Sequence, residues 1–242
     1  MTRKNCRQTV QPENLLYDGL RELGMGTDEA FCASEKLHRY VSELELFNSV
    51  YDLTAAKNKE EIEVRHILDS LAARKELLKL KEIVLKQKRT AAASGTDEDF
   101  VIADIGTGGG LPGIPLALTM SDTNFVLVER MSKRCLFLEN CAAVLGLKNV
   151  RIENMEAERI AQNSFDIAVF RAFRPLDKKM LRILLRTLKP GGFLAAYKAK
   201  KEKIDEEMGA VKEFVPSFEV LPLKVPFLEG HERNLVVIPK ER

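Results

Sequence analysis

Apolar residues recur in this chain in two rhythms. Over the first ninety residues they fall at helical spacing. Leu15, Leu16, Leu20 and Leu23 share one face, and Gly24 and Gly26 end that segment. Thr27 is placed to cap a second helix, with Asp28 and Glu29 in its first turn and Phe31, Leu37, Val41, Leu44 and Phe47 as its core stripe. Glu60 to Ala73 predicts a third helix and 74–89 a fourth, rich in Leu, Lys and Glu. From Phe100 the rhythm changes to short apolar runs separated by helical stretches. Strands are predicted at 100–103, 125–128, 150–152, 165–170 and 193–197. Helices are predicted over 132–145, 156–161, 176–188 and 202–214, and segments 218–225 and 234–238 pair as a terminal hairpin. Repeated strand–helix units imply a mostly parallel sheet with helices on both faces.

The small, polar and acidic stretch 90–99 divides the two rhythms and reads as a linker. The expected organisation is therefore a helical region over 1–99 and an α/β domain over 100–242. Net charge is only +2, so any affinity for nucleic acid must come from a local patch. The four cysteines form no CxxC pair, which predicts free thiols in a reducing compartment. No apolar run reaches the roughly 20 residues of a membrane helix. A cytoplasmic protein without membrane contact is expected.

The chemistry concentrates between Asp104 and Pro115, where five glycines fall within eight residues. A strand precedes this stretch, and prolines at a helix start follow it. Glycines let backbone approach a ligand closely, and a helix N-terminus offers unpaired N–H groups. Gly108 to Gly113 satisfies G-x-G-x-x-G, and Glu129 ends the next strand, where an acid can accept from both hydroxyls of a ribose. The fuller pattern Asp104-x-Gly106-x-Gly108-x-Gly110 is typical of S-adenosylmethionine-dependent methyltransferases rather than dinucleotide enzymes. Asp104 would place negative charge near the methionine ammonium, directly or through water. The turn Leu188-Lys189-Pro190-Gly191-Gly192-Phe193 fits the same class. A methyltransferase acting on a different substrate, an NAD-dependent oxidoreductase and a non-catalytic RNA-binding module that keeps a vestigial nucleotide site are the competing readings.

Further stretches extend the likeness: Tyr51-Asp52-Leu53-Thr54, Arg65 to Leu71, Lys133-Arg134, Ala157-Glu158, Arg171-Ala172, and Glu232-Arg233 leading into Leu235 to Ile238. Together they resemble the RsmG family, also called glucose-inhibited division protein B. The resemblance implies a Rossmann-like class I methyltransferase sheet, mostly parallel with a C-terminal antiparallel hairpin, behind an N-terminal helical extension. It implies methyl transfer from S-adenosyl-L-methionine to N7 of a guanine in 16S ribosomal RNA of the small ribosomal subunit. By motif matching, Gly106 and Leu111 line the cofactor site and Glu129 holds the ribose. Ala157 and Glu158 flank the adenine, or the contact falls one residue earlier at Glu156-Ala157. Arg171 sits beside cofactor and substrate, with His66 and Asp69 near the site; these three are the catalytic candidates, Asp69 as a carboxylate beside the cationic methylated base. Residues 74–99 look like an insertion. The chain is expected to act as a monomer.

Guanine N7 carries a lone pair and no proton, so no general base is required and none is evident. RNA binding falls to cations after strand ends: Arg130, Lys133 and Arg134 after the second strand, and Lys198, Lys200 and Lys201 after the strand 193–197.

Overall fold

A computed structural model describes residues 14–91, 99–172, 176–215 and 217–241. Residues 92–98, most of the expected linker, and Cys6 lie outside the described residues. The N-terminal elements are α1 (Leu15–Glu22), α2 (Thr27–Tyr51), α3 (Lys59–Ile62), a π-helical turn (Glu63–Leu68), α4 (Asp69–Leu71) and α5 (Arg74–Ala91). Then come β1 (Val101–Ile105), α6 (Gly113–Thr119), β2 (Asn124–Glu129), α7 (Ser132–Leu145), β3 (Val150–Asn154), a 3-10 turn (Ala157–Arg159) and β4 (Phe165–Arg171). The chain ends with α8 (Lys178–Thr187), β5 (Leu188–Lys198), α9 (Lys201–Val211), β6 (Glu219–Pro222) and β7 (Asn234–Pro239).

The seven strands form one sheet in the order β3-β2-β1-β4-β5-β7-β6. Strands β1 to β5 pair in parallel, and β7 runs antiparallel to both β5 and β6. β1, β2 and β4 are buried along almost their whole length, as strands covered on both faces must be. Alternate residues feed two cores. Ile102, Phe125, Leu127, Ile167 and Ala195 pack with α1 to α7, while Ala103, Val126, Ala168, Leu194 and Ala196 pack with α8 and α9. The chain reverses direction across the sheet between β1 and β4. In open parallel sheets that switch point, at the C-terminal strand ends, is where ligands bind.

Several local expectations are corrected. Gly26, not Thr27, occupies the cap of α2, and no side chain caps it. Phe31 is 51% exposed instead of joining the core stripe. The expected third helix is interrupted by the π turn. Of 156–161 only Ala157–Arg159 is helical. β5 begins at Leu188, five residues early, because β4 and β7 both hold it. Leu188 pairs with Phe165, and Lys240 N–H donates to Gly192 O at 2.8 Å. A Cβ on Gly192 would lie 2.6 Å from Asp166 O, so that close passage needs glycine.

α5, which no motif explained, staples the N-terminal edge of the sheet. Arg74 Nη2 donates to Thr119 O at 2.9 Å. Lys81 Nζ donates to Asp122 Oδ2 at 2.8 Å and Thr123 Oγ1 at 2.7 Å. Lys88 pairs with buried Asp166 at 2.7 Å.

Candidate active site

The glycine loop runs from the end of β1 to α6 and is tied down from three sides. Gly106 N–H and Thr107 N–H donate to Val128 O at 2.9 and 3.2 Å. Tyr40, from α2, donates its hydroxyl to Gly109 O. Asp104 is fully buried beneath the loop. Its Oδ2 accepts from Thr107 Oγ1 at 2.6 Å and from Gly113 N–H at 2.7 Å. Two glycines are required by geometry. Gly110 has φ +92°, a conformation that L side chains rarely adopt. A Cβ on Gly113 would lie 2.3 Å from Leu127 Cδ2 and 2.8 Å from Asp104 Oδ2. Burial pushes the Asp104 carboxyl up to about 6, against the pull of its two hydrogen bonds. Neither Asp104 nor Gly110 lines either of the two cavities at the strand ends. Asp104 ties the loop through Oδ2, while its Oδ1 is buried with no hydrogen-bond partner among the described residues.

Two cavities that share lining residues open at the C-terminal strand ends. The larger, about 920 Å³, is lined by Gly106, Gly108 and Leu111 of the loop, and by His66, Asp69, Arg171 and Lys198. The smaller, about 200 Å³, is lined by Val128, Glu129, Arg130, Glu156, Ala157 and Glu158. They meet at Gly106, Arg134 and Ala172, which line both. Glu129 is buried at the end of β2, where Oε2 accepts from Gly108 N–H at 3.0 Å and Oε1 from Met131 N–H at 2.8 Å. A carboxylate has about four acceptor sites, so each oxygen keeps capacity for a ligand hydroxyl. Both Glu156-Ala157 and Ala157-Glu158 border this cavity, so either frame of the adenine contact is available. Cys135 packs against Glu129 O at 3.3 Å, and burial raises its thiol as it does that of Cys141. Neither is an activated nucleophile.

In the larger cavity Arg65 and His66 of the π turn and Asp69 at the start of α4 face β4. Such turns widen a helix locally and recur at functional sites. Asp69 binds two guanidinium groups: Arg171 Nη1 donates to Oδ2 at 2.9 Å, and Arg233 Nε to Oδ1 at 2.8 Å. Arg171 Nη2 lies 3.3 Å from His66 Nδ1, and His66 Nε2 lies 2.6 Å from Thr54 Oγ1. Arg171 has no acceptor, so Nδ1 accepts and Nε2–H donates to Thr54. Burial, then the Arg171 charge, lowers the His66 pKa to about 4, which keeps it neutral at pH 7. Sequence reasoning assigned no role to Arg233, Thr54 or Glu207. Arg233 had been noticed only as part of a matching stretch, and Glu207 sits in a charged helix with no motif around it.

The expected RNA-binding cations separate into two kinds. Lys198 lines the larger cavity, paired with Glu207 Oε2 at 2.6 Å and set 5.6 Å from the centre of the Phe170 ring. Arg134 is committed to Asp52 O at 2.7 Å. Arg130, Lys133, Lys200 and Lys201 are exposed.

This sheet order, with a glycine loop after β1 and a buried acid ending β2, defines the class of S-adenosylmethionine-dependent methyltransferases. The fold likeness extends to tRNA (m1A58) methyltransferase TrmI from Aquifex aeolicus, at TM-score 0.52 and 15% identity over 72% of this chain and 69% of that one. The family model GidB, rRNA small subunit methyltransferase G, matches residues 33–236. "Ribosomal RNA small subunit methyltransferase G" of Treponema denticola is 42% identical over 99% of each chain. The protein of that name from Treponema pallidum (strain Nichols) is 38% identical over 95% of each, and that from Hydrogenovibrio crunogenus 35% over 90%. The chain belongs to the rRNA small subunit methyltransferase G family. It is a methyltransferase that uses S-adenosylmethionine, and the joined cavities, close-approach glycines and buried Glu129 fit that cofactor. Among the described residues no helix is long and apolar enough to cross a membrane.

Proposed function

We propose that the chain methylates N7 of a guanine in 16S ribosomal RNA of the small ribosomal subunit, acting as a monomer in the cytoplasm. The names of its relatives support the RNA target. One observation bears on the acceptor atom: the two titratable groups packed against Arg171 are committed to other partners. Both His66 nitrogens are hydrogen-bonded, and both Asp69 oxygens are held by guanidinium groups. A target that must lose a proton beside Arg171 would need a free base there. Guanine N7 does not.

Bound S-adenosylmethionine supplies an electrophilic methyl group on a sulfonium. Gly106, Gly108 and Leu111 hold it by close backbone approach, Glu129 accepts from its ribose hydroxyls, and Ala157 and Glu158 border its adenine. Gly110 and Asp104 act through the shape of the loop. Arg171 orients the guanine from the end of β4, and His66 and Asp69 are positioning residues that fix the guanidinium. The chain's contribution to rate is then alignment of N7 with the methyl group, worth up to several kcal/mol. Lys133, Lys200 and Lys201 meet RNA phosphate outside the cavities, Arg130 meets it at the rim of the smaller one, Lys198 meets the RNA inside the larger, and Arg134 braces the wall between the two.

Methyl-tritiated S-adenosylmethionine and small subunits from cells lacking the chain provide the test. The expected product is N7-methylguanine in the 16S RNA. Label on another base atom, or in ribosomal protein, would reject this reading.

A further inference from the structure

Three carboxylates line the larger cavity: Glu61, Asp69 and Glu207. Asp69 is consumed by Arg171 and Arg233. Glu61, on α3, accepts through Oε2 from the exposed Lys57 N–H at 2.9 Å and pairs with no cation among the described residues. Glu207 differs. It reaches the cavity from α9, and its contacts with Lys198 Nζ at 2.6 Å and Leu176 N–H at 3.4 Å both use Oε2. Its Oε1 accepts no hydrogen bond from the described residues. Lys198 is likewise held, at the end of β5, one residue past the register partner of Arg171. The side chains of Lys198 and Glu207 are only 16% and 25% exposed. Phe170 and Tyr197 supply aromatic surface in the same cavity.

A cation donor and an open carboxylate acceptor, side by side in an aromatic-lined cavity, match one nucleobase edge. On guanine, O6 accepts while the neighbouring N1–H and 2-amino group donate. Adenine presents a donor where guanine has O6 and an acceptor at N1, so it would oppose both groups. Enzymes that modify a base commonly read this edge in a pocket after the base leaves its stack.

We infer that Lys198 and Glu207 read the Watson–Crick edge of the target guanine, Lys198 donating to O6 and Glu207 Oε1 accepting from N1–H and the 2-amino group. This rests on the guanine reading above. It leaves N7 turned away from the pair and free to react. Glu207 thereby becomes a specificity residue, and its ion pair with Lys198 fixes the spacing of donor and acceptor.

Inosine keeps O6, N1–H and N7 and lacks only the 2-amino group. The test uses ligated 16S RNA carrying guanine or inosine at the methylated position, assembled with small-subunit proteins, and the full-length enzyme. The wild type is expected to favour guanine over inosine by about tenfold or more, as a charged hydrogen bond implies. Glu207→Leu should bring the ratio to about one, and the isosteric Glu207→Gln should give a ratio between these. Cofactor affinity, read by calorimetry, should match wild type in both. An unchanged guanine-to-inosine ratio in both variants, with overall rates lowered, would make Glu207 merely structural and overturn the inference. Absence of N7 label on the guanine RNA with wild type would instead overturn the guanine reading beneath it.

Discussion

Arg171 at the end of β4 donates to Asp69 Oδ2 at 2.9 Å, across 102 residues of sequence. This contact ties the helical region to the sheet beside the cavity. Asp69 also takes Arg233, so one buried carboxylate balances two guanidinium groups. Removing it strands two largely buried cations. Asp69→Ala should cost about 3 kcal/mol in urea unfolding, and Asp69→Asn less. Both should lower kcat, because Arg171 loses its orientation.

Two titrating groups oppose each other between about pH 4 and 6. Asp104 holds its proton more tightly in the fold, with its pKa raised from 3.8 to about 6. Its contribution to stability is full below about pH 4 and is lost as pH rises through about 6. His66 releases its proton more readily in the fold, its pKa falling from 6.5 to about 4. Its contribution is full above about pH 6.5 and is lost as pH falls through about 4. Urea midpoints across this window should therefore rise more steeply with pH in Asp104→Asn than in wild type. In His66→Gln they should rise less steeply or fall.

Gly113→Ala probes the loop. Its Cβ would collide with Leu127 and with the Asp104 oxygen that ties the loop to β1. Overpacking of this kind costs about 1–3 kcal/mol. Displacement of Asp104 should also weaken S-adenosylmethionine binding at least tenfold, read by calorimetry. Gly209→Ala, with open space around its Cβ, is the control expected to retain cofactor affinity.

Much of this arrangement was legible in the sequence. The glycine spacing after Ala103, with Asp104 and Glu129 near strand ends, marked the loop that borders both cavities, because those features are local in the chain. The apolar runs located the parallel strands for the same reason. What stayed hidden depends on partners far away. β5 starts early because β4 and β7 hold it, and the π turn around His66 has no periodicity signature of its own. Glu207 looked like one more charge on a solvated helix until folding set it against Lys198. Asp104 was read as negative charge near the methionine ammonium, directly or through water; its burial under the loop is not visible in composition.

Lys200 and Lys201 stand exposed beside the cavity mouth, where α9 begins. The double charge reversal K200E/K201E should lower methylation of small subunits roughly tenfold and weaken its salt dependence. Cofactor affinity should stay at the wild-type value, since neither residue lines a cavity. A matching loss of cofactor affinity would place these lysines at the wrong site.

The central claim is tested most directly by mapping N7-methylguanine in 16S RNA by mass spectrometry. The comparison is between cells that carry this chain, cells that lack it, and cells that carry Arg171→Ala. The account predicts one N7-methylguanine present with the wild type, absent without the chain, and strongly reduced with the variant. An identical N7-methylguanine map in all three would contradict it.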